Sequence, residues 1–361
     1  MTLPHITPMQ STGQPKVVEG AYLRDICAQP DVLRSMLAAL REGPNLSSVS
    51  RAINQGDLKR IVLTGMGSSL HALYPLHLAL CRHGLTSHWV EASELLGGFE
   101  SLWSRDTLLI VVSQSGESAE VVQLLRRRGE FGRVIGVTNN PESTLATESD
   151  HTLLLHAGAE ATVSCKTYLA SLAVLHWLGA VLTEADPLVA LREIEQAEAG
   201  MSAYLSHWRD HVALLKPVVE GIESIFVTGR GCSLATAGTG GLILKESTRR
   251  PAEGMSCAAF RHGPLEMIGP NVLVLVMVGQ TAVRDVNRKL YNDIISGGGR
   301  GGLIGPGHDA TSTVFRLPGV PVALLPLLEI LPVQMLSLAL AARDGREAGV
   351  FAKASKITVT A

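Results

Sequence analysis

The chain reads as a doubly wound α/β protein built in two successive halves, and three observations predict that class. Short continuous apolar runs alternate with amphipathic segments, as they do where parallel strands are covered by helices on both faces. The alternation occurs twice along the 361 residues. Finally, GMGSS at 65–69 is echoed by GRGCS at 229–233, a shift of 164, and VSQ at 112–114 by VGQ at 278–280, a shift of 166. A near-constant offset between two separate motifs indicates a duplication.

In chain order, residues 1–38 form an N-terminal arm with a helix, 39–200 the first half and 201–361 the second. RIVLTG (60–65), TLLIVVS (107–113), RVIGVTN (133–139) and HTLLLHA (151–157) are the strands expected in the first half. AEVVQLLRR separates two of them with a helical apolar period. TEADPLVALREIEQAEAGMSAYLSHW is the helical connection, and SIFVTG (224–229), NVLVLVMVG (271–279) and RGGLIG (300–305) are strands of the second half. VALLPLLEILPVQMLSLALAA (322–342) is apolar enough to suggest a membrane span, but Pro326, Glu329, Pro332 and Gln334 interrupt it and predict a buried helix.

Composition narrows the function. Hydrophobic residues make up 46% and charged ones 18%, the balance of a chain that buries a large core. With 31 Lys+Arg against 33 Asp+Glu and no run of five like charges, the sequence offers no footprint for nucleic acid or an anionic membrane, so a small molecule is the expected partner. Five cysteines, without a CxxC pair, predict neither a disulfide framework nor a structural zinc site and fit a reducing cytoplasm. The first thirty residues lack a basic segment followed by an apolar one, so no secretory signal is expected.

The turn Ser113-Gln114-Ser115-Gly116-Glu117-Ser118 stands where a parallel sheet places its ligands, between the carboxyl end of a strand and the start of a helix. Gly116 allows close backbone approach, and three hydroxyls can donate to phosphate oxygens. A plain helix cap needs only one serine. GMGSSL and GRGCSL carry Leu70 and Leu234 where a third glycine of GxGxxG belongs, and GxxxxGK[ST] is absent, so dinucleotides and nucleoside triphosphates are demoted in favour of a monophosphate on a small metabolite.

GMGSS, then SQSGES, AGAEATVSCKTYLASLAVL (157–175), LILKES and AFRHGP together resemble the SIS (sugar isomerase) family over roughly residues 40–361. The likeness is greatest to the isomerase part of glucosamine-6-phosphate synthases and to stand-alone amino sugar phosphate isomerases and deaminases. It implies two tandem SIS domains, each a flavodoxin-like, mostly parallel sheet flanked by helices. It also implies that Ser113, Gln114, Ser115 and Ser118 hold a sugar phosphate, with Ser69, Val163 and Ser164 near the sugar. In the second half the matching turn is Gly279-Gln280-Thr281-Ala282, without serines, so that half is expected to supply catalytic groups instead.

By the same resemblance Glu246 of LILKES is the proton-transfer base and His262 of AFRHGP the ring-opening residue. Alone, the first would read as a solvated charge and the second as a loop residue. The resemblance further implies that His262 reaches a neighbouring subunit's site in a homodimer, and that Lys356 of ASKITVTA meets the open-chain carbonyl; a lysine of lowered pKa forms Schiff bases there. No metal or cofactor is implied. Three departures stand out: Ile243 replaces a family lysine before the glutamate, VSCKT is one residue shorter than VASTK, and no cysteine stands at position 2 ahead of a glutaminase domain. The expected activity is therefore proton transfer between C1 and C2 of an amino sugar 6-phosphate or its ketose, without glutamine. A fructosamine-6-phosphate deglycase and a non-catalytic sugar-phosphate sensor are the alternatives.

Overall fold

The computed structural model describes residues 17–306 and 314–353. Three helices lead in: α1 (Ala21–Cys27), α2 (Gln29–Arg41) and α3 (Ser47–Asn54). The first half then runs β1 (Arg60–Gly65), α4 (Gly67–Ala72), α5 (Tyr74–Arg82), β2 (Ser87–Glu91), α6 (Ala92–Gly98), β3 (Thr107–Val112) and α7 (Ala119–Arg126). It closes with β4 (Arg133–Thr138), α8 (Thr144–Glu148), β5 (His151–Leu154) and α9 (Lys166–Leu182). Helices α10 (Pro187–Leu205) and α11 (Trp208–Val219) make the connection. The second half is β6 (Ser224–Gly229), α12 (Ser233–Thr248), β7 (Ala252–Ser256), α13 (Cys257–Arg261), β8 (Val272–Met277), α14 (Arg284–Ser296), β9 (Arg300–Gly305), β10 (Val314–Arg316) and α15 (Leu325–Arg343).

Among the described residues all strand pairs are parallel, in two five-stranded sheets ordered β2-β1-β3-β4-β5 and β7-β6-β8-β9-β10. The two orders are the same when read by position, which is the structural counterpart of the repeated turns. Strands β2, β7 and β10 were not foreseen. The first two are edge strands with half-buried, polar faces, SHWVE and AEGMS, so they lack the apolar run that marks a strand covered on both sides.

Alternation along each strand sorts the interior. Ile61, Leu63, Leu108, Ile110, Ile225, Val227, Leu273 and Leu275 point into one continuous core between the sheets, shared with α2, α9, α12 and α15. Val62, Leu109, Val111 and Val134 instead meet the residues of α6, α7 and α8. Phe226, Val274 and Val276 meet Cys257, Phe260 and Leu290 from α13 and α14. Helices α12 and α13 therefore cover opposite faces of the second sheet.

The central core holds α15, the one helix among the described residues long and apolar enough to span a membrane, and it is almost wholly buried in the protein. Its polar residues are satisfied locally. Gln334 and Gln29 of α2 exchange amide hydrogen bonds of 3.0 and 2.9 Å, and Glu329 accepts from Ser233 Oγ at 2.9 Å. Burial pushes the Glu329 carboxyl up to about 7.

Candidate active site

Strands β1 and β3 are neighbours while their outer companions lie to either side, so the turns that follow them meet where the strand order reverses. After β3, Ser113 N donates to Val137 O at 3.0 Å. Ser113 Oγ accepts from Gly116 N at 3.1 Å, and Ser115 Oγ accepts from Glu117 N at 3.2 Å. Because a lone pair of each oxygen is taken by the backbone, each O–H is left to donate outward. Ser118 is the N-cap of α7, yet its hydroxyl makes no capping bond. The ordinary-cap reading of the serines thus fails for the one serine that stands at the cap.

Gly116 has φ +66°, and a Cβ there would lie 2.2 Å from Ser143 Oγ. The Glu117 carboxylate accepts from the backbone N–H of Thr144 and, at 3.0 Å, from Thr144 Oγ1, and so holds the start of α8. Gln114 O accepts from Asn139 N at 3.1 Å, while its side chain lines an open cleft with Ser35, Asn140 and His156. After β1, Gly67 (φ +51°) starts α4, with Ser69 half-buried in the first turn. Its neighbour Ser68, passed over in the sequence reading, is 7% exposed with a hydroxyl that has no hydrogen-bond partner among the described residues.

The segment 157–165 extends from this region toward Glu246. Asn139 ties its beginning down, donating to Gly158 O at 2.8 Å and accepting from Ala157 N at 2.9 Å. Glu160, 8% exposed, accepts from Cys165 N (2.9 Å), Thr167 N (3.0 Å) and Thr167 Oγ1 (2.7 Å), so a carboxylate caps α9 from its own approach loop. Val163 is buried, and Ser164 Oγ lies 3.2 Å from Thr167 Oγ1.

Glu246 sits near the end of α12, where burial pushes its carboxyl up to about 7; the charge of Lys245 opposes the shift and that of Glu160 adds to it. It lines a cavity of about 260 Å³ with Arg249, Val350, Phe351, Ala352 and Lys353. Gly349 N reaches Ser247 O at 3.4 Å and Arg249 Nη2 reaches Val350 O at 3.1 Å, which brings the C-terminal segment alongside the glutamate. Lys356 lies outside the described residues.

Glu246, Glu160 of the loop that bears Val163 and Ser164, and residues 349–353 are thus drawn toward one another within one chain. His262 is not. It follows α13, is exposed, and stands on the face of the second sheet opposite α12. A separate cavity of about 420 Å³, lined among others by Arg82, His83, Asp186 and the 2.7 Å His176–Glu193 contact, contains none of the predicted residues.

Residues 57–180 match the SIS domain family. The glutamine–fructose-6-phosphate aminotransferase (isomerizing) of Pyrococcus horikoshii is 31% identical over 344 residues, which span 91% of this chain and 55% of that protein. The protein of the same description from Corynebacterium diphtheriae is 28% identical, over 94% of this chain and 60% of its own length. The chain therefore covers little more than half of the curated relatives it matches. Among solved structures, the C-terminal domain of glucosamine-fructose-6-phosphate aminotransferase from Francisella tularensis superposes with a TM-score of 0.83 at 21% identity, over 92% of this chain and 98% of that one. Glucosamine-6-phosphate deaminase from Thermotoga maritima gives 0.69 at 17% identity, over 91% and 96%. At such identities the likeness is one of fold.

Proposed function

We propose that this chain, which carries an SIS domain and is homologous to the isomerising part of glutamine–fructose-6-phosphate aminotransferases, is a phosphosugar isomerase or deaminase. Its substrate is an amino sugar 6-phosphate or the corresponding ketose, and its chemistry is proton transfer between C1 and C2. Residues 39–200 and 201–361 act as two SIS domains. The observation that carries the reading is Glu246, which lines a cavity with residues 350–353 and whose carboxyl burial raises to about 7, the charge of Glu160 adding to the shift. A base with a pKa near the working pH combines a usable deprotonated fraction with the strongest proton affinity compatible with it.

In this scheme the hydroxyls of Ser113, Ser115 and Ser118 donate to the phosphate and fix one end of the sugar. Glu246 removes the proton from one of the two carbons and returns it to the other. With a 2-amino substrate the resulting ketose imine adds water and releases ammonia. His262 opens the ring in the partner's site of a homodimer, consistent with its exposure and its place on the far face of the second sheet. Lys356 meets the open-chain carbonyl.

The test is turnover of a panel of hexosamine 6-phosphates, followed by ammonia release and by solvent deuterium at C1 or C2. Glu246→Gln should lower kcat by roughly 10²–10⁴, the usual contribution of general acid–base catalysis. A wild-type chain that binds hexose 6-phosphates yet neither exchanges the proton nor releases ammonia would be a sensor, and the enzymatic reading would fall.

A further inference from the structure

A buried ion pair joins the N-terminal helix to the loop beside Glu246. Lys166 Nζ lies 2.8 Å from Asp25 Oδ1, with side chains only 9% and 13% exposed. The same ammonium donates to Ala159 O, and Asp25 Oδ2 accepts from Ala161 N at 2.8 Å across 136 residues of sequence. The pair therefore grips the main chain on both sides of Glu160. Glu160 holds the far end through Cys165 and Thr167, so Val163 and Ser164 lie in a loop clamped at each end.

Helix α1, which carries Asp25, is itself tied to the segment leading to Lys356. Ala21 N donates to Glu347 Oε1 at 3.3 Å, and a Cβ on Gly349 would come within 2.8 Å of Tyr22 Cβ. Three pieces of chain distant in sequence thus converge beside Glu246: α1, the 159–165 loop and the C-terminal segment. Two charges withdrawn from water contribute little net stability, since a well-packed apolar pair of similar volume is often as stable or more so. What this pair adds is direction, because its charges are spent on main-chain groups of the loop.

We propose that Asp25 and Lys166 are positioning residues for the sugar: they hold residues 159–165 in the conformation that presents the backbone at Val163 and Ser164 to a substrate at Glu246, and so make helix α1 part of the active site. This rests on the function proposed above. It adds to the site Asp25, which precedes residues 57–180, the stretch that matches the SIS domain.

The experiment uses the full chain as wild type, Asp25→Asn, Asp25→Glu and the double variant Asp25→Leu/Lys166→Met. Calorimetry measures binding of fructose 6-phosphate and of inorganic phosphate, which needs only the serine turn, and hydrogen exchange follows residues 157–165. Asp25→Asn should weaken fructose 6-phosphate at least tenfold, leave phosphate within twofold and speed exchange in the loop; Asp25→Glu should recover part of the loss. The double variant loses two hydrogen bonds to the loop but leaves no lone buried charge, so it should still unfold in one cooperative transition and keep the sugar defect, which separates positioning from folding. Wild-type sugar affinity in the double variant, or equal losses for sugar and phosphate, would overturn the proposal. If the wild type binds no hexose 6-phosphate, the substrate reading fails instead, and the exchange rates still decide whether the pair holds the loop.

Discussion

In the proposed reaction, the burial that makes Glu246 costly to the fold is also what suits it to act as a base. Its folded pKa of about 7 lies above the ordinary 4.5, so the folded chain binds the proton more tightly than the unfolded chain does. The cost of burying the carboxylate is absent below the ordinary value, grows as pH rises through that window, and is constant above about 7. Glu246→Gln should accordingly be more stable than wild type at pH 8 by on the order of 1–3 kcal/mol and nearly equal to it at pH 4, while losing turnover. Urea unfolding at the two pH values checks this. The wild-type rate should rise with pH around an apparent pKa near 7. A flat acid limb would remove Glu246 from the role of base.

At the scale of elements, the serine turn depends on one glycine. Gly116→Ala places a Cβ 2.2 Å from Ser143 Oγ and forces a left-handed φ of +66° on a residue with a side chain. The backbone strain alone costs about 1–2 kcal/mol, and the turn must shift to relieve the clash. Phosphate affinity should drop at least tenfold by calorimetry, whereas Gly129→Ala, with nothing within 4 Å, should change neither affinity nor melting temperature. The glycines of α12 work differently. A Cβ on Gly241 would lie 2.4 Å from Gly254 N, and one on Gly238 would lie 2.5 Å from His71 Nδ1. Their absence of side chains lets the helix that carries Glu246 press against both β7 and α4.

Across the whole molecule, α12 and α13 stand on opposite faces of the second sheet, so His262 cannot be brought to its own chain's Glu246 by a side-chain rotation. If the site is completed by a second copy, mixing inactive Glu246→Gln chains with inactive His262→Ala chains should restore activity in a minority of sites. Verified heterodimers without recovery, or an active wild-type monomer by light scattering, would refute the shared site.

What the sequence determined by itself was local and repetitive: seven of the strands, the buried helix at 322–342, the serine turn and the duplicated order of motifs. Each of these depends on residues close together in the chain, where apolar period and turn chemistry act directly. The edge strands β2 and β7 escaped because a strand covered on one side needs no apolar run. Tertiary structure alone decided which candidates meet. Asp25 reaches Ala161, Glu160 bears on Glu246, and His262 is turned away from both, because contacts across such separations are set by how sheets and helices stack. A linear pattern records that a carboxylate is present; only packing determines whether water is kept from it and which charge stands beside it.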